Sequence, residues 1–314
     1  MGAIASETKH GLRPLNVLTV ADMCVDLVMT GNVVPQFGQV EQLVDNYELC
    51  MGGSACIFAA QFARLGGRVA VIGKVGPDSF GDLAVNTLTA AGVDVSWVRR
   101  DPELKTGIGV ALDKGDDRAI LTYLGSIDAV LETDITDELE AMADHWHLAS
   151  IFLLQSLRHT WQARLRRLRE TGVTVSFDPN WDPDNKWDTV HELLPYVDVF
   201  LPNENEAYAI SGTDDYIAAG RRLAKLCPLV VIKRGEHGAA AFRGQEQFNC
   251  VVSGMDDITI MDAVGAGDSF DGGFVRAWQL GKPIEDCLRL GIKCGCESLR
   301  GSGGTQSQFK AHIE

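Results

Sequence analysis

Asp262-Ala263-Val264-Gly265-Ala266-Gly267-Asp268-Ser269-Phe270 is a glycine-rich turn that ends in an aspartate and leads into a helix predicted over 267–279. Gly265, Ala266 and Gly267 carry little or no side chain, so their backbone N–H groups can converge on an anion at the positive end of that helix. Asp268 falls in its first turn. A carboxylate there is a poor second anion site but a good base toward a neighbouring hydroxyl, and the pairing points to phosphoryl transfer. A plain helix junction, with Asp268 favouring the dipole, uses the same residues, and the stretch alone does not choose. No G-x-x-x-x-G-K-[ST] P-loop occurs anywhere, and a late turn without G-x-G-x-x-G is not a dinucleotide-binding start.

The remaining sequence sets the bounds. A chain of 314 residues that is 46% hydrophobic can bury a large core, most simply as one α/β domain with an appendage. A formal net charge of -15, with no long run of Lys or Arg, argues against a nucleic-acid surface, so an anionic ligand needs a local site. Eight scattered cysteines without metal or redox spacing suit a reducing cytoplasm. Residues 1–14 lack the apolar core of a leader and read as a frayed tail, and no apolar run nears the roughly 20 residues of a membrane span, so a soluble protein is expected.

Short β-branched runs at 15–20, 69–75, 147–152, 173–177, 197–201 and 229–233 read as buried strands. Amphipathic stretches at 54–65, 80–91, 158–170 and 216–226 separate them. The alternation predicts an α/β fold with a central, mostly parallel sheet flanked by helices and ligands at the carboxyl ends of its strands. Segments 27–50 and 106–124 break the pattern: they have strand composition, a turn at Lys114-Gly115-Asp116-Asp117 and no crossover helix. They are expected to pair as a small antiparallel sheet, serving as a lid or as a homodimer surface.

Three further stretches carry a family resemblance. Met51-Gly52-Gly53-Ser54-Ala55, with Leu65-Gly66, Gly73-Lys74-Val75-Gly76-Pro77-Asp78 and Phe80-Gly81 after it, looks like the N-terminal signature of ribokinase-like (PfkB-type) carbohydrate kinases. The stretch from Asp262 to Phe270 resembles their C-terminal signature, and Pro202-Asn203-Glu204-Asn205-Glu206-Ala207 resembles their N-x-x-E motif. The elements stand in family order over 15–305, with 306–314 left as a C-terminal tail. The resemblance implies a ribokinase-like fold with a β-sheet lid.

It also implies roles. Asp268 would be the base and Gly265, Ala266 and Gly267 the anion hole, while Asp26, Gly52, Gly53 and Ser54 would bind the acceptor. Gly52 and Gly53 let backbone approach a small polyol, and Ser54 can cap the following helix in place of the asparagine frequent in the family. Asp22, nearer the end of the first strand, matches no acidic family position. Asn203 and Glu206, three apart at a helix start, suit a hydrated Mg²⁺ or a plain helix cap, and the resemblance favours the metal, with Asn203 also at the nucleotide. Asp178 and Asn180 resemble a segment near the phosphates. Lys233, Gly235 and Gly238 line up with the nucleotide turn, 294–304 with the adenine loop, and Asp262 with a monovalent-cation position used in some relatives, which would make K⁺ a cofactor.

The expectation is an ATP- and Mg²⁺-dependent kinase of an alcohol group on a sugar or sugar derivative. A nucleoside kinase of the same family and a non-catalytic sugar- or nucleotide-binding regulator are the alternatives. Tyr47, Trp97 and Tyr123 could stack on a base, and the loop at Trp181-Asp182-Pro183-Asp184 is expected to help set specificity.

Overall fold

The computed structural model describes residues 14–114, 118–253 and 260–313. The expected N-terminal tail, apart from Pro14, and most of the turn at 114–117 lie outside the described residues. In chain order the strands are β1 (Leu15–Val20), β2 (Cys24–Thr30), β3 (Asn46–Met51), β4 (Val69–Val75), β5 (Asp94–Arg100), β6 (Gly107–Asp113), β7 (Arg118–Tyr123), β8 (Ala143–Leu148), β9 (Thr174–Phe177), β10 (Val199–Phe200), β11 (Leu229–Lys233), β12 (Ala239–Arg243) and β13 (Glu246–Cys250). The helices are α1 (Ser54–Arg64), α2 (Ser79–Ala91), α3 (Asp137–Glu140), α4 (Trp161–Glu170), α5 (Asp188–Leu193), α6 (Glu204–Ser211), α7 (Tyr216–Leu223), α8 (Ala266–Gln279) and α9 (Ile284–Ser298).

Nine strands form one sheet in the order β13-β12-β11-β10-β9-β8-β1-β4-β5. Seven run parallel, and β12 and β13 close one edge as an antiparallel hairpin. Apolar runs such as Val69-Ala70-Val71-Ile72 are buried on both faces because helices cover both. One face packs Trp146, Trp161, Phe177 and Phe242, and the other packs Val17, Phe58, Phe274 and Leu288.

The small sheet has the order β3-β2-β6-β7. Its outer pairs are antiparallel, but the central pair β2 and β6 runs parallel, which corrects the all-antiparallel expectation. Parallel neighbours need a long crossover, and here the whole α1-β4-α2-β5 unit supplies it. Two strand expectations also shift. The strand expected at 147–152 is Ala143–Leu148, because the chain turns after Leu148 with Ser150 at φ 53. The one expected at 197–201 shortens to Val199–Phe200.

Residues 306–313 are docked, not loose. Gln308 is buried and donates to Ile57 O (2.9 Å) on α1 and to Ser269 Oγ (3.1 Å) on α8. Gln61 Nε2 donates to Phe309 O, and Arg276 reaches Ile313 O. The segment thus straps α1 to α8. Among the described residues no helix is long and apolar enough to cross a membrane. All eight cysteines are free thiols.

Candidate active site

The carboxyl ends of β1, β9, β10 and β11, the heads of α1 and α8, and the lid strand β2 surround a cleft of about 750 Å³. Asp26, Gly53, Ser54, Asp178, Asn180, Asn203, Glu206, Lys233 and Gly265 to Asp268 line its polar part, and Ile57, Val252, Ile260, Phe270, Ile292 and Leu299 its apolar part. Residues far apart in sequence meet here because parallel strands all end on one side.

The head of α1 is built from β1. Gly53 takes φ 88, a left-handed conformation that favours glycine, and a Cβ there would lie 2.4 Å from Asp22 O. Ser54 does not cap the helix. Asp22, buried at the end of β1, accepts from Ser54 N (3.0 Å) and Ala55 N (3.1 Å), and Ser150 Oγ donates to it at 2.5 Å. Its carboxylate takes the first free N–H groups of α1, which leaves the Ser54 hydroxyl free for the cleft. There Ser54 Oγ accepts from Asn180 Nδ2 (3.1 Å), and its hydroxyl near the Asp268 carboxyl works against the rise of that group's pKa. Asp22 is thus a structural carboxylate that family comparison undervalued. Its visible signal was an acid directly after a strand.

Asp26 sits on β2 against two bare backbones. A Cβ at Gly52 would lie 2.4 Å from Asp26 Oδ2, and one at Gly109 2.6 Å from Oδ1. Both positions must be glycine for this carboxylate to keep its place. Asp26 pairs in register with Cys50 and Gly109, so the lid carries it to the mouth of the cleft.

At the opposite wall Gly265 ends the turn at φ 73 and starts α8, with Asp268 in the first turn. The first N–H groups of α8 lack intrahelical acceptors, which gives this end its affinity for anions. Ala266 N makes a long 3.4 Å bond to Ala263 O. Asp262 fixes the turn from below: its carboxylate accepts from Val264 N (2.9 Å) and Gly303 N (2.8 Å).

Asp268 belongs to a cluster. Ligand atoms of Asp178, Asp268 and Asp271 lie within 4.8 Å of one another. Lys233 Nζ binds Asp178 Oδ2 (2.7 Å) and Asp271 Oδ2 (3.0 Å). Burial and the nearby Asp178 charge push the Asp268 carboxyl up to about 7, against the pull of Lys233. Burial, despite Lys233, pushes fully buried Asp271 well above the carboxylate range. Asp178 goes the other way: burial opposes its charge, but Lys233 and a hydrogen bond from Asp271 hold it below its ordinary value. Asp271 is therefore biased toward its protonated form beside the charged Asp178. It was missed in the sequence, and its only signal is a position three after Asp268, on the same side of α8.

Asn203 and Glu206 make a reciprocal capping box. Asn203 Oδ1 accepts from Glu206 N (2.9 Å) and Glu206 Oε2 accepts from Asn203 N (2.8 Å), while both line the cleft. Burial and Asp178 push Glu206 up to about 7. Gly235 and Gly238 also line it, and a Cβ at Gly238 would strike Cys250 O. Arg234 does not reach it. That guanidinium pairs with Glu204 at 2.9 Å and stacks 3.6 Å over Tyr216. Trp181 packs edge-on against Trp187 outside the lining residues, while Asp182 takes backbone N–H groups of its own loop, so this loop does not shape the cleft. Tyr47 and Tyr123 are exposed on the lid, and Trp97 packs against the core.

The model of the pfkB family of carbohydrate kinases matches residues 15–311. Cytidine kinase of Thermococcus kodakarensis is 30% identical over 286 residues, covering 88% of this chain and 96% of that protein. Fructokinase of Klebsiella pneumoniae is 35% identical over 240 residues, covering 72% of this chain and 76% of that one. The crystal structure of fructokinase from Vibrio cholerae O395, in a fructose, ADP and calcium ion bound form, aligns with a TM-score of 0.76 at 25% identity, over 93% of this chain and 96% of that one. The family match spans every element of the cleft, and the chain belongs to the pfkB family of carbohydrate kinases as an ATP-dependent phosphotransferase with an alcohol group as acceptor.

Proposed function

We propose that Asp268 is the general base in transfer of the γ-phosphoryl group of ATP to a hydroxyl of a sugar or sugar derivative. The observation that carries this reading is its setting. It stands at the head of α8 beside the glycine turn, is pushed up to about 7, and lines the same cleft as Ser54. Asp26 and Ser54, with the bare backbone of Gly52 and Gly53, orient the acceptor. Its hydroxyl proton passes to the Asp268 carboxylate as the new oxygen–phosphorus bond forms and the bond to ADP breaks. Backbone N–H groups at Gly265, Ala266 and Gly267 stabilise charge on the transferring group, and Lys233 adds a fixed cation beside Gly267.

Hard oxygen donors suit Mg²⁺ here. Asp178, Asp268 and Asp271 form the described cluster, with Asn203 and Glu206 in the same cleft. Lys233 already holds two of these carboxylates and the capping box engages Asn203 and Glu206, so these residues would hold the ion chiefly through water. When bound it neutralises triphosphate charge. Gly235 and Gly238 shape the nucleotide end, and Val252, Ile292 and Leu299 give it an apolar wall. Asp262, spanning two loops below the turn, is the proposed contact of a monovalent cation such as K⁺.

The test is ADP release with ATP and Mg²⁺ over a panel of sugars, sugar acids, inositols and nucleosides, with and without K⁺. No acceptor-dependent ADP would overturn the reading. A nucleoside acceptor is the second reading, favoured by the 30% identical cytidine kinase and tested by the same panel. Exposed Tyr47, Leu49, Ile120, Leu121 and Tyr123 on the lid support a homodimer, which sedimentation would reveal.

A further inference from the structure

The ionisable groups around the acceptor are nearly all acids. Asp26, Asp178, Glu206 and Asp268 line the cleft with Glu236, and among the described lining residues Lys233 is the only lysine or arginine. Its side chain is 12% exposed and its ammonium sits between Asp178 and Asp271, so its charge is already engaged. Asp22 adds a further carboxylate directly behind Ser54.

The lid brings no compensating cation to this point. Strand register places Cys50, Gly109 and Thr122 beside Asp26, and Glu48, Ala111 and Ile120 beside Val28 on the same face. The next lysine or arginine position in that register is Arg118, opposite Asp113, four residues beyond Gly109 and so about 13 Å along the strand. The remaining anion-binding element, the glycine turn with the head of α8, is taken by the phosphoryl group in transfer.

We propose that the acceptor of this kinase is uncharged: a neutral sugar, polyol or nucleoside, and not a sugar phosphate or sugar acid. This rests on the kinase reading above. A phosphate or carboxylate on the acceptor would lose water among carboxylates without gaining a partner, and like charges would repel it. A neutral polyol instead donates hydroxyl hydrogens to carboxylate oxygens, which accept them without a charge penalty.

The experiment measures kcat/KM with ATP and Mg²⁺ for matched acceptors that offer the same hydroxyl: fructose and fructose 1-phosphate, ribose and ribose 1-phosphate, with cytidine, adenosine and a 2-dehydro-3-deoxyhexonate as further arms. The neutral member of at least one pair, or a nucleoside, should exceed every anionic acceptor by about 100-fold or more. Asp26→Asn should cut that ratio at least tenfold by relieving repulsion, a change that general loss of fold would not produce. If an anionic acceptor matches or exceeds the neutral ones, the inference falls and the kinase reading stands. If nothing is phosphorylated although ATP binds, both fall. An unchanged ratio in Asp26→Asn would also overturn the charge argument.

Discussion

Asn180 Nδ2 donates to Ser54 Oγ across 3.1 Å, joining the end of β9 to the head of α1 in the cleft that Asp268 also lines. The same amide accepts from Ser150 N at 2.6 Å, and Ser150 Oγ holds Asp22. One side chain thus fixes the proposed acceptor wall against the end of β9. It does so from a left-handed backbone at φ 52. Asn180→Gly keeps that conformation and loses the bridge, so kcat should fall about tenfold with little change in melting temperature. Asn180→Ala should lose the same activity and a further ~1 kcal/mol of stability, because a Cβ is strained there. Equal melting temperatures in the two variants would contradict this.

Removal of the base is the direct test of Asp268. Asp268→Asn should keep ATP binding and lower turnover by two or more orders of magnitude, roughly 3 kcal/mol or more of barrier. Nucleotide titration alongside kcat separates the two effects, and near-normal turnover would remove the assigned role.

Its environment also sets a pH dependence. Asp268 and Glu206 are both pushed up to about 7, chiefly by burial. The base acts when ionised, so kcat should rise with pH through about 7. The stability sign is opposite. These carboxyls hold protons in the folded state that the unfolded chain has released, so their contribution is favourable near pH 4 and is lost as pH rises through about 7. Asp268→Asn cannot ionise, so its melting temperature should overtake that of the parent between pH 5 and 8, by about 2–4 °C for each kcal/mol relieved. Melting scans of both proteins over that range decide it.

Lys233 and Asp271 should differ sharply when replaced. Lys233→Met leaves the buried Asp178 carboxylate without its cation and should cost about 3–5 kcal/mol. Burial pushes Asp271 toward its neutral, protonated form, which an amide matches in charge and shape, so Asp271→Asn should cost under about 1 kcal/mol. Urea unfolding of the pair checks the contrast.

The strap is the last target. Gln308→Ala removes the donor shared by Ile57 O and Ser269 Oγ and leaves both buried, which should cost roughly 2 kcal/mol or more. Because α1 carries Ser54 and α8 carries Asp268, kcat should fall with it. Melting and turnover of the variant test both.

The legible part of the fold was the part written in local periodicity. Leu15–Val20, Val69–Val75 and Leu229–Lys233 appear as read, because buried parallel strands are continuous apolar runs. The Asp94–Arg100 strand passed unread for its charged, half-exposed face, and of the Ile284–Ser298 helix only the end from Cys294 was read. In the site, glycine signatures flagged backbone that must come close, at Gly53 and Gly265. Which side chain meets that backbone was not local information. Asp22 in place of Ser54 as the cap, and the Asp178-Lys233-Asp271 cluster, arise from contacts between strand ends far apart in sequence. The strap was read as a tail because nothing in its own composition reveals what it docks against.

The parallel pair β2 and β6 has a mechanical consequence. Since the main domain itself supplies the crossover, the chain passes between the two sheets four times: after β1, before α1, between β5 and β6, and after β7. Any swing of the small sheet bends those four passages together, as a door turns on several pins. One pin is Gly52-Gly53, the bare backbone beneath Asp26. The place where the acceptor would be gripped and the place where the door turns are therefore the same two residues, so seating an acceptor there loads the hinge directly.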